Sequence, residues 1–82
     1  MRIDKFLKLS RIIKRRTLAK EACDNKRVFI NEKIAKAGDE VNAGDVIKIN
    51  FSNKVLKLKV IDDGEKLVNP KPEQLYILSS ED

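Results

Sequence analysis

Histidine and tryptophan are absent from this 82-residue chain, cysteine and tyrosine occur once each, glycine three times and proline twice. Without histidine the usual zinc ligand sets cannot be assembled, and a general acid or base would have to be a carboxylate or a lysine. The lone Cys23 excludes an internal disulfide. No apolar run approaches the roughly 18 residues that span a bilayer, and no apolar segment with a small-residue cleavage site opens the chain. The expectation is a cytoplasmic protein with no membrane partner. A chain this short buries only about 60% of the surface that its unfolded form exposes, enough for one modest core but hardly for an enclosed catalytic cavity. These absences argue against an enzyme, a metal and any other cofactor.

What is present is charge, and it is unevenly placed. Residues 1–27 hold ten basic residues against three acidic ones, whereas the remaining 55 hold eight lysines against ten acids. All five arginines lie in that first third, which matters because the planar guanidinium fork suits phosphate better than an ammonium does. The asymmetry points to a nucleic-acid partner.

Ile3, Phe6 and Leu7 recur at helical spacing over residues 3–9 and predict a short amphipathic helix. Continued at 3.6 residues per turn, the stripe would meet Ser10, Lys14, Thr17 and Glu21. The phase has slipped, so a break is expected between Ser10 and Arg16. A second helix over about 15–25 would bury Leu18, Ala19, Ala22 and Cys23, with Cys23 acting as a small core hydrophobe.

After Arg27 the period becomes alternating. Val28 to Ile30 read as a first strand, with a short partner near Ile34 beyond the turn Asn31-Glu32, then a connection through Gly38 and Val41. Ile47, Ile49 and Phe51 alternate with Lys48 and Asn50, and Leu56, Leu58 and Val60 alternate with Lys57 and Lys59, which predicts a hairpin turning at Ser52 to Lys54. Asp62 to Glu65 form an acidic turn, and Asn69 to Pro72 are expected to be non-helical. Leu75 to Leu78 form a final strand or docked segment ahead of a frayed acidic end. The expected architecture is α+β, with two short N-terminal helices packed on a small twisted sheet of four to five strands.

The residues Arg2-Ile3-Asp4-Lys5-Phe6-Leu7, Arg11, Arg15-Arg16 with Ala19, Val28 to Asn31 and Ala43-Gly44-Asp45-Val46 together resemble the alpha-L motif, the RNA-binding family named after ribosomal protein S-four. The resemblance spans residues 1–61 and leaves 62–82 as an acidic extension with an apolar segment near 75–78. It is strongest to stand-alone bacterial members similar to the fifteen-kilodalton heat shock protein, and among them to the small factors of ribosome-associated quality control. It implies a monomeric, non-enzymatic protein of the large ribosomal subunit, touching ribosomal RNA and peptidyl-tRNA beside the alanine-tailing factor during rescue of stalled chains. The RNA-binding residues implied are Arg2, Asp4, Lys5, Lys8, Arg11, Lys14, Arg15, Arg16 and Asn31. The chain departs from the motif where glycine usually precedes the first strand and follows the asparagine: Lys26 and Glu32 stand there, and if those backbones need positive φ each costs on the order of 1 kcal/mol.

Other readings of these residues stay open. Lys14-Arg15-Arg16, next to a helix N-terminus that would favour phosphate, could be a solvated charge run, and Lys8 ordinary surface. Arg2 with Asp4 reads as an ion pair that aims the arginine. Asn31 serves either the turn or the RNA, and Phe29 either the core or a stacked base. Lys57 and Lys59 are peripheral. The six acids of 62–82 should face away from RNA. A protein-interaction adaptor, or an RNA-binding factor for free large subunits under heat stress, is the alternative function.

Overall fold

The computed structural model describes residues 1–79; the acidic end at 80–82 lies outside them. Helix α1 (Ile3–Leu9) buries Ile3, Phe6 and Leu7. Its first amide groups, which no helix can satisfy internally, are taken by the loop that follows the second strand: Ile3 N–H donates to the Asp39 carbonyl at 2.8 Å and Asp4 N–H to the Ala37 carbonyl at 3.3 Å. The helix stops where the apolar phase slips. The Ser10 hydroxyl bonds back to the Leu7 carbonyl at 3.2 Å, and Arg11 turns into the left-handed region at φ 64°, its N–H donating to the Lys8 carbonyl at 3.0 Å. That is the geometry of a left-handed helix cap, a place where glycine is usual.

Helix α2 (Arg16–Asp24) buries Ala19 and Cys23. The expected apolar face is narrower than four residues: Leu18 is 48% exposed, because it lies about 100° around the helix from Ala19.

The strands β1 (Val28–Ile30), β2 (Lys33–Ile34), β3 (Val46–Asn50), β4 (Val55–Val60) and β5 (Tyr76–Leu78) form one sheet in the order β2-β1-β3-β4-β5, antiparallel at every pairing. A helical turn, α3 (Pro72–Leu75), precedes β5, so the expectation that Pro72 is non-helical is corrected. Proline suits the first position of a helix, where its fixed φ fits and no N–H is missed. Leu75 is fully buried, and β5 pairs with β4 through Leu58–Leu78 and Val60–Tyr76. The apolar stretch therefore docks as a fifth strand.

Register sorts the side chains. The inner face, with Val28, Ile47, Ile49, Leu58 and Val60 buried, shares one core with Ile3, Phe6 and Leu7 of α1. Phe29 points the other way. Alternation with the buried Val28 puts it on the outer face beside its cross-strand neighbour Lys48, whose Nζ sits 4.6 Å from the ring centroid. Of the two places open to Phe29 from sequence, the core is thus not the one it takes.

Both positions where the chain departs from the motif's glycines have positive φ: Lys26 at 59° and Glu32 at 71°. Asn25 does not relieve Lys26, for its own φ is −87°. Asn31 at φ 50° and Glu32 make a two-residue turn with both central residues left-handed, the type that matches strand twist and normally asks for Asn-Gly. Replacing Glu32 by glycine removes about 1–2 kcal/mol of strain and adds roughly 0.4–1 kcal/mol of unfolded-state entropy. Glu32→Gly should therefore raise stability by roughly 0.5–1 kcal/mol, read in thermal melts as an increase of a few degrees.

Candidate nucleic-acid interface

The basic third of the chain is organised around a carboxylate. Asp4 stands in the first turn of α1 with its side chain only 4% exposed. Arg2 reaches it with two donors, Nε to Oδ1 at 3.2 Å and Nη2 to Oδ2 at 3.1 Å. The Lys5 amide donates to Oδ1 at 2.7 Å. From the first residue of α2, Arg16 brings Nη2 to 3.4 Å from the same oxygen. One buried carboxylate thus joins the two helices and sets two guanidinium groups side by side, with 51% and 48% of the Arg2 and Arg16 side chains exposed to solvent. The Arg2 guanidinium lies over Gly38, where an added Cβ would come within 3.8 Å of its Cζ.

Burial by itself pushes the Asp4 carboxyl up. The Arg2 hydrogen bonds, the Lys5 amide and the charges of Arg16 and Arg2 outweigh it and hold the group below the ordinary carboxylate value. The resemblance puts Asp4 among the RNA-facing residues; its burial instead leaves it beneath the surface, aiming two residues that do face outward. Its pairing with Arg2 is legible from sequence. That with Arg16, twelve positions away, is not, because it depends on how the chain turns at Ser10–Arg15.

Lys5, Lys8, Lys14 and Arg15 are exposed on or between the same two helices. Lys5, Lys8 and Arg11 line an open groove of about 480 Å³ with Leu9, Asn69 and Pro70. In the sequence Asn69 and Pro70 read only as breakers of regular structure, and nothing in their spacing marks them as the wall of a basic groove. Asn31 stands apart. Its side-chain NH2 donates to Asp45 Oδ1 at 3.0 Å and its oxygen accepts from the Val46 amide at 2.9 Å, so the carboxamide latches the β1–β2 turn to the head of β3. Of its two possible roles, the turn is the one these bonds serve, and the groove that it lines holds Glu32, Val46, Lys57 and Ser79 instead of the helical cations.

Cys23 is buried, and its thiol is pushed up to about 11, by desolvation first and by the charges of Asp4, Asp24 and Asp39 after it. Such a thiol stays protonated and unreactive near neutrality. Among the described residues no group of three or more His, Cys, Asp or Glu side chains could hold a metal ion, and no helix is long and apolar enough to cross a membrane.

Residues 1–47, which contain every side chain of the Asp4 arrangement, match the model of the S4 domain. The chain belongs to the S4-domain family. Over its whole length it is 43% identical to the RQC P-site tRNA stabilizing factor of Halalkalibacterium halodurans, of which it covers 93%. It is also 40% identical over its whole length to the protein of the same name from Bacillus subtilis, of which it covers 95%. Among solved structures, the trimeric Heat Shock Protein 15 of Vibrio cholerae superposes with a TM-score of 0.81 at 27% identity, over 98% of this chain and 82% of the other. The S4-domain match takes in α1, α2, β1, β2 and the first residues of β3, and the rest of the sheet lies beyond it.

The depressed Asp4 carboxyl makes a signed prediction. A folded-state value below the unfolded one contributes stability that is present above the unfolded value and lost as pH falls through the folded one. Asp4→Asn should cost about 1.5–3 kcal/mol near neutral pH, the scale of hydrogen bonds to charged groups. In denaturant titrations the gap between wild type and variant should close as the pH drops below about 4.

Proposed function

We propose that this protein is a non-catalytic, cytoplasmic RNA-binding factor of the large ribosomal subunit, contacting ribosomal RNA and P-site tRNA in the quality control of stalled nascent chains. The observation that carries the reading is the pair of guanidinium groups held by buried Asp4. An arginine fork fixed by a carboxylate has lost its rotameric freedom before RNA arrives, so less entropy is lost on docking. Its remaining donors can take phosphate oxygens with the geometry that favours Arg over Lys. Lys5, Lys8, Arg11, Lys14 and Arg15 extend the positive surface around it, matching the dense phosphate at junctions of folded RNA by shape and backbone instead of by base sequence.

The names of the relatives matched over the whole chain support the assignment to P-site tRNA and to quality control. A peptidyl-tRNA on the large subunit is the expected ligand, the alanine-tailing factor the expected protein neighbour, and a monomer the expected state. The acidic residues after position 61 would be turned away from RNA, toward such a neighbour.

Co-sedimentation with purified large subunits, with and without peptidyl-tRNA and at two salt concentrations, tests the reading. Wild type should bind more with tRNA present and lose affinity with salt at close to 0.9 log units per phosphate contact for each log unit of salt. Arg16→Glu should abolish the interaction; full binding by that variant would refute the reading. Arg11 supplies a second test. Its left-handed backbone makes Arg11→Gly stability-neutral or stabilising, and the same change removes a cation from the groove beside α1. A variant at least as stable as wild type in melts but several-fold weaker on the subunit is the expected result.

A further inference from the structure

The sheet has two faces, and the helices cover one. On the other, β1, β3 and β4 place Phe29, Lys48 and Lys57 in one cross-strand row, and Lys59 follows two residues after Lys57 on the same strand, opposite Ile77 of β5. Three ammonium groups therefore share an uncovered face with an aromatic ring. Among the described residues none of the three is in an ion pair.

Lys48 and Lys57 are directly opposite across the β3–β4 ladder, a like-charge pairing that works against the sheet. Lys48 leans instead over the Phe29 ring, 4.6 Å from its centroid. Such an arrangement is relieved by an anion between the lysines. Lys57 and Lys59 are spaced by two residues of strand, about 6.8 Å, of the same order as the distance between successive phosphates along a nucleic-acid strand. Once Lys48 swings from the ring to a phosphate, Phe29 supplies what phosphate contacts lack, a flat surface on which a base can stack whatever its identity. Asp45, the acid at the head of β3, is engaged by the Asn31 side chain and the Asn42 amide, and Glu32 lines the turn end of the groove that Lys57 also lines.

We propose that this outer sheet face is a second nucleic-acid site, taking an unpaired RNA strand with its phosphates on Lys48, Lys57 and Lys59 and a base on Phe29. The site rests on the reading of the chain as an RNA-binding factor but not on the helical surface, from which the hydrophobic core separates it. Holding RNA on both sides of the core would let one small domain bridge two segments of RNA.

The probe is a fluorescein-labelled dodecauridylate, followed by anisotropy. Replacing all three lysines (Lys48→Gln, Lys57→Gln, Lys59→Gln) should weaken binding by at least about 10-fold and lower the salt slope by about 2, at roughly 0.7 per phosphate on a single strand. Phe29→Leu should weaken it about 5-fold or more, the low end of a lost stacking contact. Melts should find the triple variant as stable as wild type, since the like-charge pairing is gone. Arg16→Glu should retain most dodecauridylate binding while losing the large subunit. Wild-type affinity in the triple variant overturns the proposal and leaves the helical surface untouched. So does sedimentation in which wild type self-associates and the triple variant does not, which would make the face an interface between copies of this chain. If wild type binds neither the subunit nor the oligonucleotide, the RNA-binding reading falls as well.

Discussion

A carboxylate shielded from water stays ionised only where donors and positive charge replace its hydration. Asp4 has both, from Arg2, the Lys5 amide and Arg16. The constraint runs in both directions. To meet Asp4, Arg2 must lie back over Gly38, and the chain must turn at Ser10–Arg15 so that α2 begins with Arg16 beside α1. The loop at 36–41 is drawn in too, because it satisfies the first amides of α1. The Asp4 side chain thus links the start of the chain to the helix junction and leaves two guanidinium groups outward, while the backbone of the same first turn ties in a loop more than 30 residues on.

Backbone strain is spread over the turns, and at one of them it meets the basic surface. Arg11 adopts a left-handed conformation at the end of α1, and Lys26, Asn31, Glu32 and Asn69 do so in the turns that follow. For a domain of this size, whose net stability is only several kcal/mol, a few positions each costing about 1 kcal/mol are significant. Arg11 differs from Lys26 and Glu32 in what the cost accompanies. Its side chain lines the basic groove with Lys5, Lys8 and Asn69, which is where strain at a working surface is expected to persist. Among the described residues Lys26 and Glu32 share no such groove with the helical cations, and nothing else there explains their presence in place of glycine.

The two N-terminal helices and the β3–β4 hairpin follow from hydrophobic period, since the inner and outer faces of β3 and β4 are spelled by strict alternation. The break at Ser10 follows from a slipped phase. Three things do not follow, each because it depends on contacts distant in sequence. Leu18 is apolar but exposed, since the buried stripe of α2 is set by how closely Ala19 and Cys23 let the helix approach. Phe29 sits in an apolar run that periodicity cannot divide into faces, and only pairing with β3 assigns it outward. Asp4 is legible as a partner for Arg2 but not as the meeting point of Arg2 and Arg16. The charge asymmetry marks out the basic surface, whereas the roles within it, which residue faces outward and which one aims it, need the fold. Asn31 illustrates the same limit, as its bond to Asp45 spans 14 residues.

Asp4 as the organiser of the basic surface can be tested by one comparison. The affinity of Asp4→Asn for the large subunit is measured in the wild-type background and again with Arg2 and Arg16 both changed to glutamine. If charge alone governs, removing a negative group from a basic surface tightens binding to phosphate. If Asp4 acts by holding the two arginines, the opposite is expected: Asp4→Asn weakens binding severalfold in the wild-type background and has no effect once both arginines are gone. Tighter binding by Asp4→Asn, or an equal loss in the two backgrounds, would contradict the organising role.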